Sequence, residues 1–387
     1  MFTKNINFKN FKSQKINKPL VKELNFFLDN NSELLKSLTK KYKYSYTKKL
    51  ISNFINVTVV RIIGMGGAIL GTEAIHDFLF HKVKKKFIFV NNLKKEINNF
   101  TIKKKILNLI ISKSGNTLET ISNVNLLIKK NDENIFVTEN NNSYLKNLAK
   151  KLKAEIVDHN NFIGGRYSVL SEVGMLPAEL MGLDEKKFKQ LNNLVKNKNF
   201  INHLLINVSN ILNLNKNKYL NSVILNYDEK SDNLFRWYQQ LVAESLGKKS
   251  KGILPIISGL PKDNHSTMQL YLDGPKNFFY TFFFVSDKNT TRINNKAILE
   301  GYEYLKNKDI NQILYAQKLA TENVFLKKKI PFRSFNVINR DEETLGELFT
   351  FFILETILLG RAMKVNPFDQ PSVELIKKET KNFLVSG

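Results

Sequence analysis

The chain contains 387 residues, carries a formal net charge of +25 and has no cysteine. A chain of this length exceeds what one hydrophobic core usually organises, so two domains are expected. Without cysteine there can be no disulfide framework, no thiolate metal site and no cysteine nucleophile. The hydrophobic fraction of 42% excludes an intrinsically disordered chain.

The positive charge is spread along the sequence rather than gathered in one segment. Lysines recur in short groups, such as those at 84–86 and 327–329. A dense basic cluster would favour nucleic-acid binding through counterion release, whereas scattered lysines indicate a solvated surface that attracts small anions. The sequence therefore predicts no specific nucleic-acid partner.

No segment has the composition of a membrane span or a targeting signal. The most apolar stretch, residues 349–360, is interrupted by Thr350, Glu355 and Thr356, whereas a spanning helix needs about 18 or more apolar residues. The lysine-rich N-terminus lacks an uninterrupted apolar core. We therefore expect a cytoplasmic protein with no membrane segment.

Apolar runs and helix-length spacers alternate in chain order. An N-terminal helical segment (residues 1–44) contains a predicted helical stretch at 21–38. In a first lobe (residues 45–185), strands are predicted at 57–63, 86–90, 106–111 and 134–137. A polar stretch at 186–202, rich in Lys and Asn, indicates the crossing to a second lobe.

The second lobe (residues 186–387) follows the same pattern. Its predicted strands lie at 222–227, 253–257, 278–285 and 332–337, with helices between them and two at the end. Strands separated by helix-length segments are typical of parallel sheets. The expected fold class is α/β, with two lobes that each place a mainly parallel sheet between helices in a three-layer αβα sandwich.

Two loops after predicted strands have compositions suited to an anion. Residues 64–71, Gly-Met-Gly-Gly-Ala-Ile-Leu-Gly, fit a sharp structural turn as well as a ligand loop. Residues 111–120 place several hydroxyl side chains and Lys113 just before a predicted helix. Asn116 and Glu119 have the spacing of a helix cap. An ordinary capped turn could have the same composition. However, the start of a helix with many hydrogen-bond donors favours binding of an anion, so phosphate is the predicted ligand.

The helix predicted at 231–246 carries the strongest candidate for acid–base chemistry. Trp237, Leu241 and Glu244 recur at three- and four-residue steps, so Glu244 lies at the edge of the apolar stripe, with Gln240 one turn earlier. A carboxylate facing apolar surroundings would have a raised pKa and could abstract a proton. For a helical glutamate judged by periodicity alone, a solvated or salt-bridged side chain is the commoner outcome.

Three further segments contain single candidates. Arg166 follows Gly164 and Gly165, a flexible pair that permits a close approach to a ligand, although a lone arginine is commonly a surface charge. His265 could shuttle a proton near neutral pH or could be structural, and no second ligand at helical spacing supports a metal site there. Lys377, on the last helix, could point into a site or out to solvent.

Three motifs stand out for their length and order. They are Gly-Gly-Arg-Tyr-Ser-Val-Leu-Ser at 164–171, Glu-Ser-Leu-Gly-Lys at 244–248 and Asn-Pro-Phe-Asp-Gln-Pro at 366–371. Together they resemble the glucose-6-phosphate isomerase family, from about residue 60 to residue 378. The resemblance implies two sugar-isomerase (SIS) lobes with the active site between them, a homodimer that completes it, and conversion of glucose 6-phosphate to fructose 6-phosphate with no metal and no organic cofactor.

By matching positions, the resemblance also implies roles for individual residues. Glu244 would carry the proton between C1 and C2 through a cis-enediol intermediate, and Arg166 would stabilise charge on that intermediate. His265, contributed across the dimer, and Lys377 would help to open the sugar ring. The substrate-binding positions would be Gly66, Gly67, Ser112, Lys113, Ser114, Thr117, Gln240 and Gln370.

The sequence departs from the family pattern at three positions. Ala68 stands where the family usually has serine, and Ser372 and Ile376 replace glycines near the last helix. Glu244 and Arg166 are both present, so activity is expected to be retained. Two alternatives stay open: an isomerase that also accepts mannose 6-phosphate, and a SIS protein that binds phosphosugars without turnover.

Overall fold

The computed structural model describes residues 2–95, 106–129, 132–288 and 290–386. The N-terminal segment contains β1 (Ile6–Lys9), α1 (Lys18–Asp29) and α2 (Glu33–Ser37). The first lobe contains α3 (Lys48–Asn53), β2 (Val59–Ile63), α4 (Leu70–Phe78), β3 (Lys86–Val90), β4 (Ile106–Ile111), α5 (Leu118–Leu127), β5 (Glu133–Thr138), α6 (Tyr144–Lys151), β6 (Glu155–Asp158) and α7 (Glu172–Leu180). The second lobe contains α8 (Leu191–Lys196), α9 (Lys198–Lys216), β7 (Asn221–Asn226), α10 (Asp232–Leu246), β8 (Leu254–Gly259), α11 (Met268–Asp273), β9 (Phe278–Val285), α12 (Ile310–Lys327), β10 (Phe332–Val337), α13 (Glu342–Ala362) and α14 (Pro371–Ser386).

The first sheet is entirely parallel and has the spatial order β3-β2-β4-β5-β6. Its strand β4, Ile-Leu-Asn-Leu-Ile-Ile, is buried at every position, as expected for a strand covered by helices on both faces. The chain passes from β2 to β3 on one side and then to β4 on the other. Ligands bind at such a switch point in open α/β sheets, and the loops at 64–71 and 111–120 both begin there.

The second sheet has the order β1-β10-β9-β7-β8, with β1 antiparallel at one edge and the other strands parallel. Its strand β9, Phe-Phe-Tyr-Thr-Phe-Phe-Phe-Val, is buried at all but its first residue. The predicted α/β fold with two mainly parallel sheets is confirmed, and each predicted strand is found to within two residues at either end.

The N-terminal segment differs from its prediction in two ways. The helical stretch expected at 21–38 is two helices, because Ser32 accepts a hydrogen bond from the Leu35 amide (3.3 Å) and starts α2 anew. The segment predicted as helical also contributes strand β1, which pairs with β10 more than 300 residues later in the sequence. A four-residue strand with so distant a partner leaves little local signal.

The crossing between the lobes is more ordered than its composition indicated. The polar stretch at 186–202 is helical from Leu191 onward in α8 and in the start of α9. Just before it, the buried Lys189 donates hydrogen bonds to the carbonyl oxygens of Ser37 (2.6 Å) and Leu170. The division of the chain at 44/45 and 185/186 stays a prediction.

A buried carboxylate on α13 anchors the N-terminal segment. Glu347 is 4% exposed, and its carboxylate accepts hydrogen bonds from the Thr3 hydroxyl (2.7 Å) and the Asn5 amide (3.4 Å). Burial, together with the nearby carboxylates of Glu343 and Asp341, raises the pKa of Glu347 from 4.5 to about 7.

This shift predicts a defined pH dependence of stability. Between the unfolded and folded pKa values the folded state binds more protons, so the free energy of unfolding falls as pH rises through this interval. Each pKa unit corresponds to about 1.4 kcal/mol, which gives a loss on the order of 3 kcal/mol. Glu347→Gln keeps an acceptor for Thr3 and should become more stable than the wild type as pH rises from 5 to 8.

The measurement is urea denaturation across that pH range, followed by the fluorescence of the single tryptophan, Trp237. Glu155→Gln, at an exposed position on β6 in the first lobe, is the control and should follow the wild-type pH trend. A pH-independent difference between Glu347→Gln and the wild type would contradict the assignment.

Candidate active site between the two lobes

Arg166 joins the three sequence motifs at 164–171, 244–248 and 366–371. It lies on a short 3₁₀ turn (Gly165–Leu170) of the first lobe, and its side chain is 3% exposed. A guanidinium has five N–H donors, and five hydrogen bonds leave this one. They reach Ser245 Oγ (2.8 Å), Glu244 Oε2 (3.2 Å), Gln370 Oε1 (2.7 Å) and the carbonyl oxygens of Pro367 (2.6 Å) and Asp369 (3.1 Å).

Three residues without a predicted role hold this arrangement in place. The Trp237 indole donates to the Arg166 carbonyl oxygen (3.2 Å). The Tyr167 hydroxyl contacts Ser245 Oγ (2.8 Å), and Lys248 Nζ donates to the Glu244 carbonyl oxygen (2.8 Å). Tyr167 and Lys248 lie inside the recognised motifs, so their position in these motifs could have identified them from the sequence. Trp237 lies outside the motifs.

Glu244 lies in the last turn of α10 at the edge of the buried face, as predicted. Its surroundings differ from the expected apolar ones. Oε1 accepts a hydrogen bond from Gln240 Nε2 (2.9 Å), Oε2 accepts one from Arg166, and the side chain is 31% exposed. Helical periodicity predicts which side of α10 is buried. It could not predict the contact with Arg166, because this donor lies in the other lobe.

The glycine-rich loop packs directly against this cluster. Gly66 has a left-handed backbone (φ +53°), and a Cβ atom there would lie 2.8 Å from Gln240 Nε2. A Cβ at Gly67 would lie 2.3 Å from the carbonyl carbon of Gly165 and 2.5 Å from the Arg166 amide nitrogen. The backbone of this loop therefore lies so close to the turn that carries Arg166 that a side chain at Gly67 would displace the turn.

The predicted phosphate loop brings hydroxyls together at the start of α5. Ser112 Oγ and Thr117 Oγ1 are 3.0 Å apart, and Ser114 Oγ accepts a hydrogen bond from the Asn116 amide (3.2 Å). Gly115 has φ +65°, which favours glycine at this tight turn. Lys113 extends sideways, where its Nζ donates to the Asn161 carbonyl oxygen (2.9 Å).

The predicted cap at this helix start is wrong. Thr117 is the N-cap residue and makes no side-chain cap hydrogen bond. Asn116 Oδ1 instead accepts from the Tyr144 amide (3.0 Å), which begins the neighbouring helix. The first N–H groups of a helix have no intrahelical partner, so without a side-chain cap they can receive an anion.

His265 and Lys377 are not part of this cluster. His265 lies on an exposed 3₁₀ turn (Lys262–His265) after β8. Lys377 lies on α14, which buries none of its residues, and its Nζ pairs with Glu374 (2.6 Å). Within the described ranges of the chain, neither side chain hydrogen bonds to Glu244 or Arg166.

A cavity of about 590 Å³ lies between the N-terminal segment and the predicted site, with residues 27 and 30–34 forming about half of its lining and neither Glu244 nor Arg166 among the lining residues. The phosphate loop contributes Lys113 to its lining, the turn before Arg166 contributes Gly164 and Tyr167, and the last motif contributes Phe368. A volume of this order is typical of small-molecule sites. In the described part of the chain, no group of three or more acidic or histidine side chains could hold a metal ion. The described helices also include none that is both long enough and apolar enough to cross a membrane.

Solved structures define the class to which this fold belongs. A hypothetical protein from Thermus thermophilus matches with a TM-score of 0.82 at 23% identity, over 95% of this chain and 94% of that one. A glucose-6-phosphate isomerase from Chlamydia trachomatis matches with a TM-score of 0.74 at 17% identity, over 99% and 89% of the two chains. The chain shares the fold of these two proteins, with two mainly parallel sheets flanked by helices, as predicted.

The sequence comparisons narrow the class to one family. The family model for phosphoglucose isomerase matches residues 18–385. A probable glucose-6-phosphate isomerase from Methanococcus maripaludis is 32% identical over 87% of this chain and 80% of its own length. A glucose-6-phosphate isomerase from Mycoplasmopsis pulmonis is 33% identical over 83% and 81%. The chain belongs to the phosphoglucose isomerase family, which confirms the resemblance seen in its motifs.

Proposed function

We propose that the protein interconverts glucose 6-phosphate and fructose 6-phosphate, with Glu244 as the catalytic base. Family membership supports the substrate pair. The observation that carries the proposal is the cluster in which Arg166 meets both Glu244 and Gln370 at the junction of the lobes. A carboxylate beside a fixed cation is the arrangement that proton abstraction next to a carbonyl requires.

The chemistry follows from the positions of these groups. The substrate phosphate binds at the start of α5, to the hydroxyls of Ser112, Ser114 and Thr117 and to the Lys113 amide. Glu244 removes the proton from C2 of the open-chain aldose and returns it to C1, while the hydroxyl proton moves from O2 to O1. Negative charge develops on the intermediate, and the guanidinium of Arg166 stabilises it without reorganisation.

Gln240 and Gln370 hold the side chains of Glu244 and Arg166 in one geometry. Gln240 donates to Oε1 of Glu244, so the oxygen that faces Arg166 is fixed as Oε2. Gln370 accepts from the same guanidinium nitrogen that contacts Glu244. Both amides are close enough to exchange these contacts for substrate hydroxyls, which is the substrate-binding role proposed for them. Gly66 and Gly67 would let the substrate pass close to the backbone.

Ring opening is assigned to His265 and Lys377, with His265 supplied by the other subunit of a homodimer. His265 is exposed on the outer layer of the second lobe, a position that suits contact with a second chain. The role of Lys377 requires α14 to dock over the site. Phe368 and Gln370, just before α14, lie at the cavity and at Arg166, so the start of α14 is next to the cluster.

A coupled assay tests the activity. With fructose 6-phosphate as substrate, glucose 6-phosphate should form and reduce NADP⁺ through an added dehydrogenase. Parallel assays with mannose 6-phosphate decide whether the enzyme accepts both epimers. Binding of either sugar phosphate with no turnover would instead support the phosphosugar-binding alternative and reject the isomerase. A cytoplasmic location and the absence of a specific nucleic-acid partner belong to the same proposal.

Gly67→Ala should impair turnover more than stability. The added methyl would overlap the backbone of Gly165 and Arg166, so the turn that carries the guanidinium must move. Misplacing a catalytic group by about 1 Å can cost on the order of a hundredfold in rate, whereas overpacking costs about 1–3 kcal/mol of stability. Steady-state kinetics and thermal denaturation measure the two effects.

Gly259→Ala is the matched control, because a Cβ atom at Gly259 would meet nothing within 4 Å. It should leave kcat and the melting temperature close to the wild type. If Gly67→Ala retained wild-type kcat, the glycine-rich loop would not control the position of Arg166.

A further inference from the structure

A second cavity, of about 970 Å³, lies at the carboxyl ends of the parallel strands of the second sheet. The segments that follow these strands form most of its lining: residues 227–230 after β7, 260–261 after β8, 286–288 after β9 and 338–341 after β10. Its described lining residues include none that the proposed isomerase mechanism uses. The fold therefore contains a large crevice that the proposed function does not explain.

This crevice has the same topological position as the predicted phosphate loop of the first lobe. The first sheet has the order β3-β2-β4-β5, and the second has the corresponding order β8-β7-β9-β10. In both lobes the chain leaves the first strand on one side and continues on the other, so the segments after β7 and β9 diverge as those after β2 and β4 do. Ligands of open α/β sheets bind at such switch points. The fold thus provides two binding positions, and the proposed mechanism uses one.

The second position differs from the first in how it could hold a ligand. At the start of α12, the Asp309 carboxylate accepts a hydrogen bond from the Gln312 amide (2.8 Å). The Thr290 hydroxyl accepts one from the Asn311 amide (3.2 Å). The start of α5 has no such side-chain cap. A ligand in the crevice must therefore be bound by side chains rather than by the free N–H groups of a helix start.

Arg340 and two carboxylates form a fixed network in the lining. The Arg340 side chain is 6% exposed, with Nη2 2.7 Å from Asp228 Oδ1 and Nε 2.7 Å from Asp287 Oδ1. Asp228 also accepts a hydrogen bond from the Ser231 hydroxyl. Each carboxylate oxygen can accept more than one hydrogen bond, and Asp287 is partly exposed. The network therefore offers well-positioned acceptors for hydroxyl groups of a ligand.

Cations lie next to this network. Lys230 is 46% exposed, and its Nζ is 3.7 Å from Asp287 Oδ2, longer than a hydrogen bond. His81, from the first lobe, is exposed in the lining. Burial lowers the pKa of His81, and the cations Lys82, Arg340 and Lys230 lower it further, whereas Asp287 opposes this shift. Several cations therefore act on this side of the crevice, where they would attract a phosphate group.

The opposite character appears in an apolar part of the lining. Leu260 is buried, Leu314 is partly buried and Ile310 is 41% exposed. A sugar phosphate has no apolar surface to cover these side chains, and a lipid would leave the carboxylates without partners. A nucleoside monophosphate has a base with an apolar face, ribose hydroxyls and a phosphate. It matches the apolar side chains, the carboxylates and the cations together.

We infer that this crevice, here called the β7–β9 crevice, binds a nucleoside monophosphate. The phosphate contacts Lys230 and His81. The ribose hydroxyls donate hydrogen bonds to Asp287, and the base packs against Ile310 and Leu314. The volume is near the upper end of the usual range for small-molecule sites, so all three parts of the ligand can be accommodated.

Isothermal titration calorimetry of the full chain with the monophosphates of adenosine, guanosine, cytidine and uridine is the first test. At least one should bind once per chain with a Kd on the order of 10 μM, as the usual ligand efficiency gives for molecules of this size. The β7–β9 crevice lies at the start of α10 and Glu244 in its last turn, about 20 Å away. Saturating glucose 6-phosphate should therefore leave nucleotide binding intact. Failure of all four to bind, or displacement by glucose 6-phosphate, would overturn the inference.

Smaller probes test which part of the ligand the crevice recognises. Inorganic phosphate alone and the unphosphorylated nucleoside should each bind at least about tenfold more weakly than the monophosphate, because each lacks one set of contacts. Inorganic phosphate that bound as tightly as the nucleotide would reject a role for the apolar side. Two molecules of glucose 6-phosphate bound per chain would assign the crevice to sugar phosphates and reject the nucleotide.

Three variants locate the binding. Lys230→Gln should weaken nucleotide binding by about tenfold or more, the effect of losing a charge-assisted hydrogen bond. Ser286→Trp, at an exposed position in the lining, should fill the crevice and abolish binding. Lys49→Gln, at an exposed position on α3, is the control and should keep the wild-type Kd. All three should retain wild-type isomerase kinetics. A wild-type Kd in Lys230→Gln or in Ser286→Trp would reject the site.

Discussion

Glu244→Gln is expected to lower turnover by at least about a hundredfold, with a small change in KM. Glutamine has the same shape and can still accept a hydrogen bond from Arg166, so the lobes should remain joined through this contact. It cannot take a proton from C2. Removal of a general base typically costs between about a hundredfold and ten-thousandfold in rate, or about 2.7 kcal/mol or more in the barrier.

Two measurements separate the loss of a base from a structural effect. Exchange of the substrate C2 proton with deuterated solvent should disappear together with turnover, while the urea midpoint should stay near that of the wild type. Glu155→Gln, at an exposed position on β6, is the control and should retain full activity. If Glu244→Gln turned over within about threefold of the wild type, another group would have to be the base.

Arg333→Met is expected to cause the largest loss of stability, about 3–5 kcal/mol. Arg333 on β10 and Glu355 on α13 form an ion pair in which both side chains are fully buried. The guanidinium also donates to Thr281 Oγ1 (2.9 Å), and the Tyr238 hydroxyl donates to Glu355 (2.8 Å). Removing the arginine would leave the Glu355 carboxylate buried without its cation.

The double variant Arg333→Met/Glu355→Leu should recover most of this loss, because well-packed apolar residues can replace a buried ion pair at little cost. Lys36→Met, which breaks the exposed pair with Glu33, should cost no more than about 1 kcal/mol. Urea denaturation followed by Trp237 fluorescence measures these changes in stability, because Trp237 is next to Tyr238 on α10. A double variant less stable than Arg333→Met would show that Glu355 contributes through other partners.

This network also connects stability to the site. Tyr238 lies on α10, as does Glu244 in the last turn of the same helix. The buried contacts of Tyr238 with α13 and β10 therefore fix the helix that carries the proposed base. Arg333→Met should change kcat more than KM in whatever fraction stays folded, because the binding loop at 112–117 belongs to the other lobe.

Local sequence patterns were sufficient to predict the features that depend only on residues close together in the chain. Strand β4 was predictable because a run of apolar residues buried on both faces needs no knowledge of its partners. Glu244 was placed correctly on α10 because helical periodicity depends on neighbours within two turns. The loops at 64–71 and 111–120 were found because small and hydroxyl residues cluster within a few positions of a strand end.

The sequence by itself determined the α/β alternation, the two candidate anion loops and, through three motifs, the family. Only the tertiary structure showed that Glu244 is held by Gln240 and Arg166 rather than by apolar side chains. It also showed that β1 completes the second sheet. The contact of Glu244 with Arg166 and the pairing of β1 with β10 join residues far apart in the chain. Periodicity shows which face of one element is apolar but not which residues pack against that face.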